Sequence, residues 1–292
     1  MSVLLGAIEA GGTKFVIAIG TDQGDIIEKK VIPTEHPDIT VPKVLAFFEG
    51  KGIERLGLGG FGPIDINESS PTYGQLLKTP KIDWIDYPLG KTLEESLGVP
   101  VVIDTDVNVA AMSEAKWGNA KDVQTCLYIT VGTGVGAGAY FHGQTLKGLS
   151  HPEMGHIKVH RHPDDAYAGG CPYHGDCLEG MAAGPALEKR WNKKGYELSD
   201  DAHVWEMEAY YLAQALTSYI YILSPERIIM GGGVMKQKQL FPLIRKNVLD
   251  MLNGYVSSPY LNAKEIDQYI VPPGLTDESG IKGALYLAMT EK

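Results

Sequence analysis

Apolar runs of strand length open the chain. Residues 3–9 (VLLGAIE) and 14–20 (KFVIAIG) predict two buried strands joined by Ala10-Gly11-Gly12-Thr13. Residues 40–52 have helical spacing, and 54–62 (ERLGLGGFG) predict a strand running into a glycine-rich loop. Residues 73–87, containing TPKIDW, have no clear period and predict a surface loop. A short helix is expected over 89–97, a buried strand over 99–103, and a helix through VAAMSEAKWG. Residues 125–139 (TCLYITVGTGVGAGA) read as strand, glycine run and strand. Helices follow over 184–194 and 202–223, a strand over 225–230, a helix over 240–252, a last strand over 268–271 and a closing helix over 279–290. Strands alternating with helices place the chain in the α/β class.

Composition narrows what such a chain can be. Its 292 residues exceed one small core and suit two domains. With 44% hydrophobic and 21% charged residues it has the balance of a soluble globular protein. The net charge is −10 and no Lys/Arg block stands out, which argues against a nucleic-acid surface. The opening MSVLLGAIEAGG lacks a basic n-region and its apolar run is soon broken, so neither a signal peptide nor a membrane span is expected. A cytoplasmic protein is the simplest expectation.

Metal chemistry concentrates in residues 148–185, which hold two of the three cysteines and five of the eight histidines. Cys171, His174 and Cys177 form C-x2-H-x2-C, with His156 upstream. Thiolates and neutral imidazoles are the ligands of a tetrahedral zinc, and four protein ligands make the ion structural rather than catalytic. The alternatives are a Cys171–Cys177 disulfide or unpaired thiols among incidental histidines. The absence of a signal peptide favours a reducing compartment and hence the metal. His151, His160 and His162 read as solvated loop residues.

Three glycine motifs lie at strand ends. Gly11 and Gly12, with Thr13 and Lys14, are either a plain hairpin turn or a turn whose N–H groups, hydroxyl and ammonium approach phosphate oxygens. Gly132-Thr133-Gly134 repeats this chemistry, suggesting a duplicated scaffold that grips one polyphosphate. Gly231-Gly232-Gly233-Val234 permits close approach of a ring or ribose, or is an ordinary strand-to-helix turn. The turn after the first strand is not a G-x-x-x-x-G-K-[ST] loop, and no G-x-G-x-x-G follows that strand. Gly62-Pro63-Ile64-Asp65 marks a turn at a strand end, where α/β proteins place binding loops. Asp106 is either a helix N-cap or first-turn carboxylate, or a general base at a strand-to-helix junction.

In this order the motifs A-G-G-T-K at 10–14, G-P-I-D at 62–65, D-V-N at 106–108, G-T-G at 132–134, E-M-G-H at 153–156 and C-x2-H-x2-C-L-E at 171–179 resemble the ROK family of sugar kinases, over nearly the whole chain. The resemblance implies two actin-like (ribonuclease H-like) α/β domains with an interdomain ATP and sugar cleft. The first would be 1–116, rejoined by the closing helix 277–292. The second would be 117–276, with a zinc-binding loop at 150–180. It further implies Asp106 as the base for the sugar hydroxyl, and Gly62, Thr105, Glu153, His156 and Glu179 as sugar ligands. Gly11, Gly12, Thr13, Lys14, Gly132, Thr133 and Gly134 would hold phosphates, with Gly231, Gly232, Gly233, Val234, Met235 and Pro185 around the nucleoside. His156 would serve both zinc and sugar. Mg²⁺ would accompany ATP, with Glu9 acting on it indirectly, and a homodimer is implied.

Three positions depart from the family pattern: Glu9 stands for Asp, Thr105 for Asn and His174 for Cys. Thr105 bears on glucose and amino-sugar specificity, and the pattern, with EAGGTKF and HPEMGH, is more similar to the bacterial fructokinase branch. The implied reaction is D-fructose to fructose 6-phosphate with ATP. The alternatives are a kinase for mannose or glucose, or a non-catalytic sugar-sensing regulator. A sugar-responsive repressor is disfavoured, because the first strand begins at about Val3, leaving no helix-turn-helix ahead of it.

Overall fold

The computed structural model describes residues 3–79 and 81–290. Pro80, inside the TPKIDW stretch, and the outer ends of the predicted segments 1–116 and 277–292 lie outside the described residues. The chain divides into two compact units. The first comprises Met1–Gly118, Gln144–Pro152 and Gly274–Lys292; the second comprises Asn119–Gly143 and Glu153–Pro273. Gln144–Pro152, which the sequence boundaries put in the second domain, groups with the first.

The first unit begins with β1 (Leu4–Ala10), β2 (Lys14–Thr21), β3 (Ile26–Pro33), α1 (Pro37–Phe48), β4 (Arg55–Gly60), α2 (Leu89–Leu97), β5 (Val101–Thr105) and α3 (Asp106–Trp117). Its sheet has the order β3-β2-β1-β4-β5. β1 and β2 form an antiparallel hairpin, and β4 and β5 run parallel to β1. Alternation along β1 sorts its side chains by face. Ile8 and Ala10 join a core with Phe15, Phe48, Leu56 and Leu58, whereas Leu5 and Ala7 pack on the last helix.

The second unit holds β6 (Thr125–Val131), β7 (Val135–Phe141), α4 (Leu178–Ala182), α5 (Gly184–Trp191), α6 (Ala202–Leu223), β9 (Arg227–Gly231), α7 (Leu240–Leu252), α8 (Ile266–Tyr269) and β10 (Ile270–Val271), and its sheet is extended by β8 (Gln144–Thr145) from the segment grouped with the first unit. The sheet order is β10-β9-β6-β7-β8, again an antiparallel hairpin continued by two parallel strands. The repeated order is the duplicated scaffold that the two glycine hairpins suggested. α6 buries Trp205, Leu212, Leu216 and Tyr219 at helical spacing against this sheet's core. Each large apolar side chain buried there contributes roughly 1.5–3 kcal/mol. Finally, α9 (Ser279–Met289) returns to the first unit.

Helix α9 lies close on β4 because glycines make room for it. A Cβ on Gly57 would run into the Ala284 carbonyl, and one on Gly283 into the Val109 carbonyl of α3. Ile281, Ala284, Leu285 and Ala288 then cover Leu5, Ala7, Val16 and Ala18. No described helix is long and apolar enough to cross a membrane.

Four sequence expectations need correction. β3 (IIEKKVIP) was not foreseen: it is an edge strand with most side chains in solvent, so its apolar pattern is weak. Residues 73–87 are more than a surface loop, since Leu76 and Trp84 are fully buried and Trp84 Nε1 donates to Glu35 O at 2.9 Å. The last strand shrinks to β10 because α8 occupies its first half. The first long helix starts earlier, at Pro37, whose fixed φ suits a first helical turn.

Gly57→Ala is expected to cost about 2 kcal/mol or more in urea denaturation, because the neighbouring backbone cannot yield. Gly148→Ala, which meets open space, should stay within about 0.5 kcal/mol of the parent.

Candidate active site

In the first unit three parallel strands end on one rung: Glu9 of β1 pairs with Gly59 of β4, and Gly59 with Asp104 of β5. Residues paired in this way face the same side of a sheet. Gly59 leaves space between the two acids, and a Cβ there would press on Val109 and approach the Asp106 Cα at 3.5 Å. The chain then turns from β5 into α3. Thr105 caps the helix, its hydroxyl accepting from Asn108 N at 3.2 Å. Asp106 is therefore the first helical residue rather than the cap. Its Oδ1 accepts from Val107 N at 2.9 Å. A carboxylate there is stabilised by the helix N-terminus.

Electrostatics link Asp106 to Glu9. Burial, and then the negative charge of Asp106, raise the Glu9 carboxyl from 4.5 to about 7, with Lys14 opposing and Asp277 adding to the rise. A buried acid facing other acids is relieved by a cation. The turn after β1 is held by Gly11 N donating to Lys14 O (3.0 Å) and Thr34 Oγ1 donating to Gly11 O (2.7 Å). Thr13 and Lys14 stay exposed. Phe61 N donates to Ala10 O at 2.8 Å, so Gly62 follows directly on a residue tied to this turn. The Gly62–Pro63 bond is cis.

In the second unit three glycine turns converge. Gly132 N donates to Gly134 O, and Gly184 N donates to Gly132 O, both at 2.8 Å. Gly233 N lies 3.8 Å from a Cβ placed on Gly132. The Gly132-Thr133-Gly134 hairpin, the start of α5 with Pro185, and the turn Gly231-Gly232-Gly233 thus sit together, with Val234 and Met235 buried behind. Gly232 has φ +95° and its missing side chain would strike Val131, so no other residue suits the position. Glu179 of α4 accepts from Val135 N at 3.1 Å and so touches the same hairpin.

His156, Cys171, His174 and Cys177 also belong to this unit, and their donor atoms lie within 4.8 Å of one another. His156 Nδ1 is 3.8 Å from Cys171 Sγ and 3.5 Å from Cys177 Sγ, and His174 Nδ1 is 3.7 Å from Cys171 Sγ. Ligands about 2.3 Å (S) and 2.0–2.1 Å (N) from one tetrahedral ion lie about 3.6 Å apart, so this donor set fits such an ion. Cys171 and Cys177 are free thiols, which removes the disulfide alternative. The knuckle closes through Cys171 N to Gly175 O (3.1 Å) and Gly175 N to Cys171 O (2.9 Å), with Gly175 at φ +65°. His156 turns Nδ1 to the sulfurs, which leaves Nε2 on the far edge of the ring.

Buried groups behind the site hold these elements. Tyr219 OH donates to Met154 O at 2.5 Å, fixing the 3-10 turn Met154–His156 that Glu153 caps. Arg190 pairs with Asp165 at 3.1 Å and donates to Met181 O at 2.8 Å, while Tyr211 OH donates to Asp165 at 2.6 Å. The sequence reading named neither Asp104 nor these supports. Asp104 had one signal, an acid on the alternation of a buried strand (VVID). Tyr219 and Arg190 had none, being ordinary residues of helical stretches.

A family model described as "ROK family" matches residues 5–291. The chain belongs to the ROK family. A Bacillus subtilis protein provisionally named a fructokinase is 53% identical, covering 98% of this chain and 95% of its own length. The fructokinase of Pediococcus pentosaceus is 44% identical over 98% of each chain. The crystal structure of a ROK family glucokinase from Streptomyces griseus, in complex with glucose and AMPPNP, superposes with a TM-score of 0.77 at 25% identity. That match covers 98% of this chain and 99% of the glucokinase. The sequence resemblance to ROK sugar kinases, and the two-sheet actin-like fold it implied, are borne out.

Because the folded-state Glu9 carboxyl lies above its unfolded value, its ionisation opposes folding. The contribution is lost as pH rises from 4.5 to about 7. In ligand-free, EDTA-treated protein, Glu9→Gln should match the parent's stability near pH 4. It should gain on the order of a few kcal/mol by pH 8. Urea denaturation at both pH values checks this; an equal difference at both would refute it.

Proposed function

We propose that the protein is an ATP-dependent hexose kinase acting on D-fructose, yielding fructose 6-phosphate, with Asp106 as general base. The observation that carries the reading is Asp106 at the head of α3, beside the partly buried Glu9 carboxyl near the ends of parallel strands. Fructose follows from the fructokinase relatives.

Phosphoryl transfer passes through a loose transition state, so the protein's work is positioning and charge stabilisation. In this reading Gly62, Thr105, Glu153, His156 and Glu179 orient the sugar, and Asp106 accepts the proton of the attacking hydroxyl. Thr105 serves through its position, since its hydroxyl already caps α3. Lys14 and the backbone N–H groups of Gly12, Thr13, Thr133 and Gly134 face phosphate oxygens, while Gly11, whose N–H is taken by Lys14 O, lets the turn approach them closely. Gly231, Gly232, Gly233, Val234, Met235 and Pro185 receive the nucleoside. Glu9, crowded by Asp106 and Asp277, suits a divalent cation held through water. Magnesium held near Glu9 would supply positive charge to the phosphates.

The His156, Cys171, His174 and Cys177 cluster we assign to structural zinc, because two thiolates and two imidazoles match its ligand preference and close its shell. Burial, with Cys171 alongside, pushes the Cys177 thiol up, so zinc uptake would release protons and weaken in acid. His156 then couples the ion to the sugar through its second nitrogen.

ADP release with Mg-ATP should be fastest with fructose among fructose, mannose, glucose and N-acetyl sugars. Preference for another hexose would overturn the substrate, and no turnover on any would overturn the kinase. Asp106→Asn should lower kcat by about 100-fold or more, the range of a positioned base; near-parent turnover would remove that role. Purified protein should carry about one equivalent of zinc by elemental analysis, most of it lost in Cys177→Ser.

A further inference from the structure

The geometry points to Asp104 and Lys147 as a positioning pair for Asp106, an inference that rests on the reading of Asp106 as base. Asp104, next to last in β5, has 1% of its surface exposed, and each carboxylate oxygen serves a different element. Oδ1 accepts from Thr105 N at 2.8 Å and from Asn108 Nδ2 at 2.7 Å, which grips the first turn of α3 on both sides of Asp106. Oδ2 accepts from Thr145 Oγ1 at 2.8 Å and lies 3.2 Å from Lys147 Nζ. Both of those donors belong to Gln144–Pro152, a strap that packs with the first unit.

The strap has little apolar anchorage of its own. Leu149 is fully exposed and Leu146 is 37% exposed. β8 ties the start of the strap to β7, and beyond Thr145 the attachment leans on the buried carboxylate through Lys147, while the carboxylate in turn depends on the strap. A buried anion is held by charge-assisted donors and is costly to strip of its countercharge. Losing Lys147 leaves Asp104 to redistribute its remaining bonds, and the groups it grips are the N-cap Thr105 and Asn108 of the first turn, which bracket the base. Displacing a base by about 1 Å costs up to about 100-fold. Asp104 touches no reacting atom in this scheme; it acts through Asp106.

The test is a double-mutant cycle on the full chain with fructose and Mg-ATP. Lys147→Met should lower kcat roughly tenfold with the KM for ATP changed less than about twofold, and Lys147→Arg should restore most of the loss. Amide exchange within 144–152 should quicken in Lys147→Met. In an Asp106→Asn background Lys147→Met should add less than about twofold, since there is no base left to misplace. Parent kcat in Lys147→Met beside a slow Asp106→Asn, or losses that multiply in the double variant, would overturn the pairing. Parent turnover in Asp106→Asn alone would fell the base reading and this inference with it.

Discussion

Two helices come to rest on a strand that has almost no side chains to keep them away. Strand β4 offers Gly57 and Gly59 on the face where α9 and α3 pack, and Gly283 lets those helices touch backbone to backbone. Any side chain at these places would push a helix outward, and the cost would be felt at the chemistry. The start of α3 carries Asp106, and the neighbouring rung carries Glu9 and Asp104. Close packing of this kind transmits small displacements, because a dense core cannot absorb them.

The same rung explains why a charged site can be built at the end of an apolar sheet. Burying Glu9 near Asp106 is unfavourable, and its raised pKa is the measure of that cost. Asp104, more deeply buried than Glu9, is instead surrounded by donors. The contrast separates their roles: a satisfied carboxylate holds structure, and an unrelieved one awaits a cation or proton. In the second unit, the His156, Cys171, His174 and Cys177 cluster and Glu179 hang on short turns and a one-turn helix. These have little intrinsic stability, so the buried phenols and the Arg190–Asp165 pair supply it from α5 and α6.

Much of this was legible beforehand. Helices 89–97, 202–223 and 240–252 matched the structure residue for residue, because long amphipathic periods survive any tertiary context. The C-x2-H-x2-C knuckle, the glycine turns and the Asp at a strand-to-helix junction were visible as local patterns. β3 was not, since a charged edge strand has no buried face to announce it. Trp84 and Leu76 were not either, since a stretch without period can still fill a core.

The sequence by itself determined the local chemistry: which residues can bind metal, where glycines permit a turn, and which runs must be buried. Only the tertiary structure decided what those residues meet. It set Glu9 beside Gly59 and Asp104 through strand register, made Thr105 the cap and Asp106 the first helical residue, and brought Thr145 and Lys147 to a carboxylate some forty residues earlier in the chain. Register, capping and the meeting of distant segments depend on packing between elements, and no local pattern encodes that.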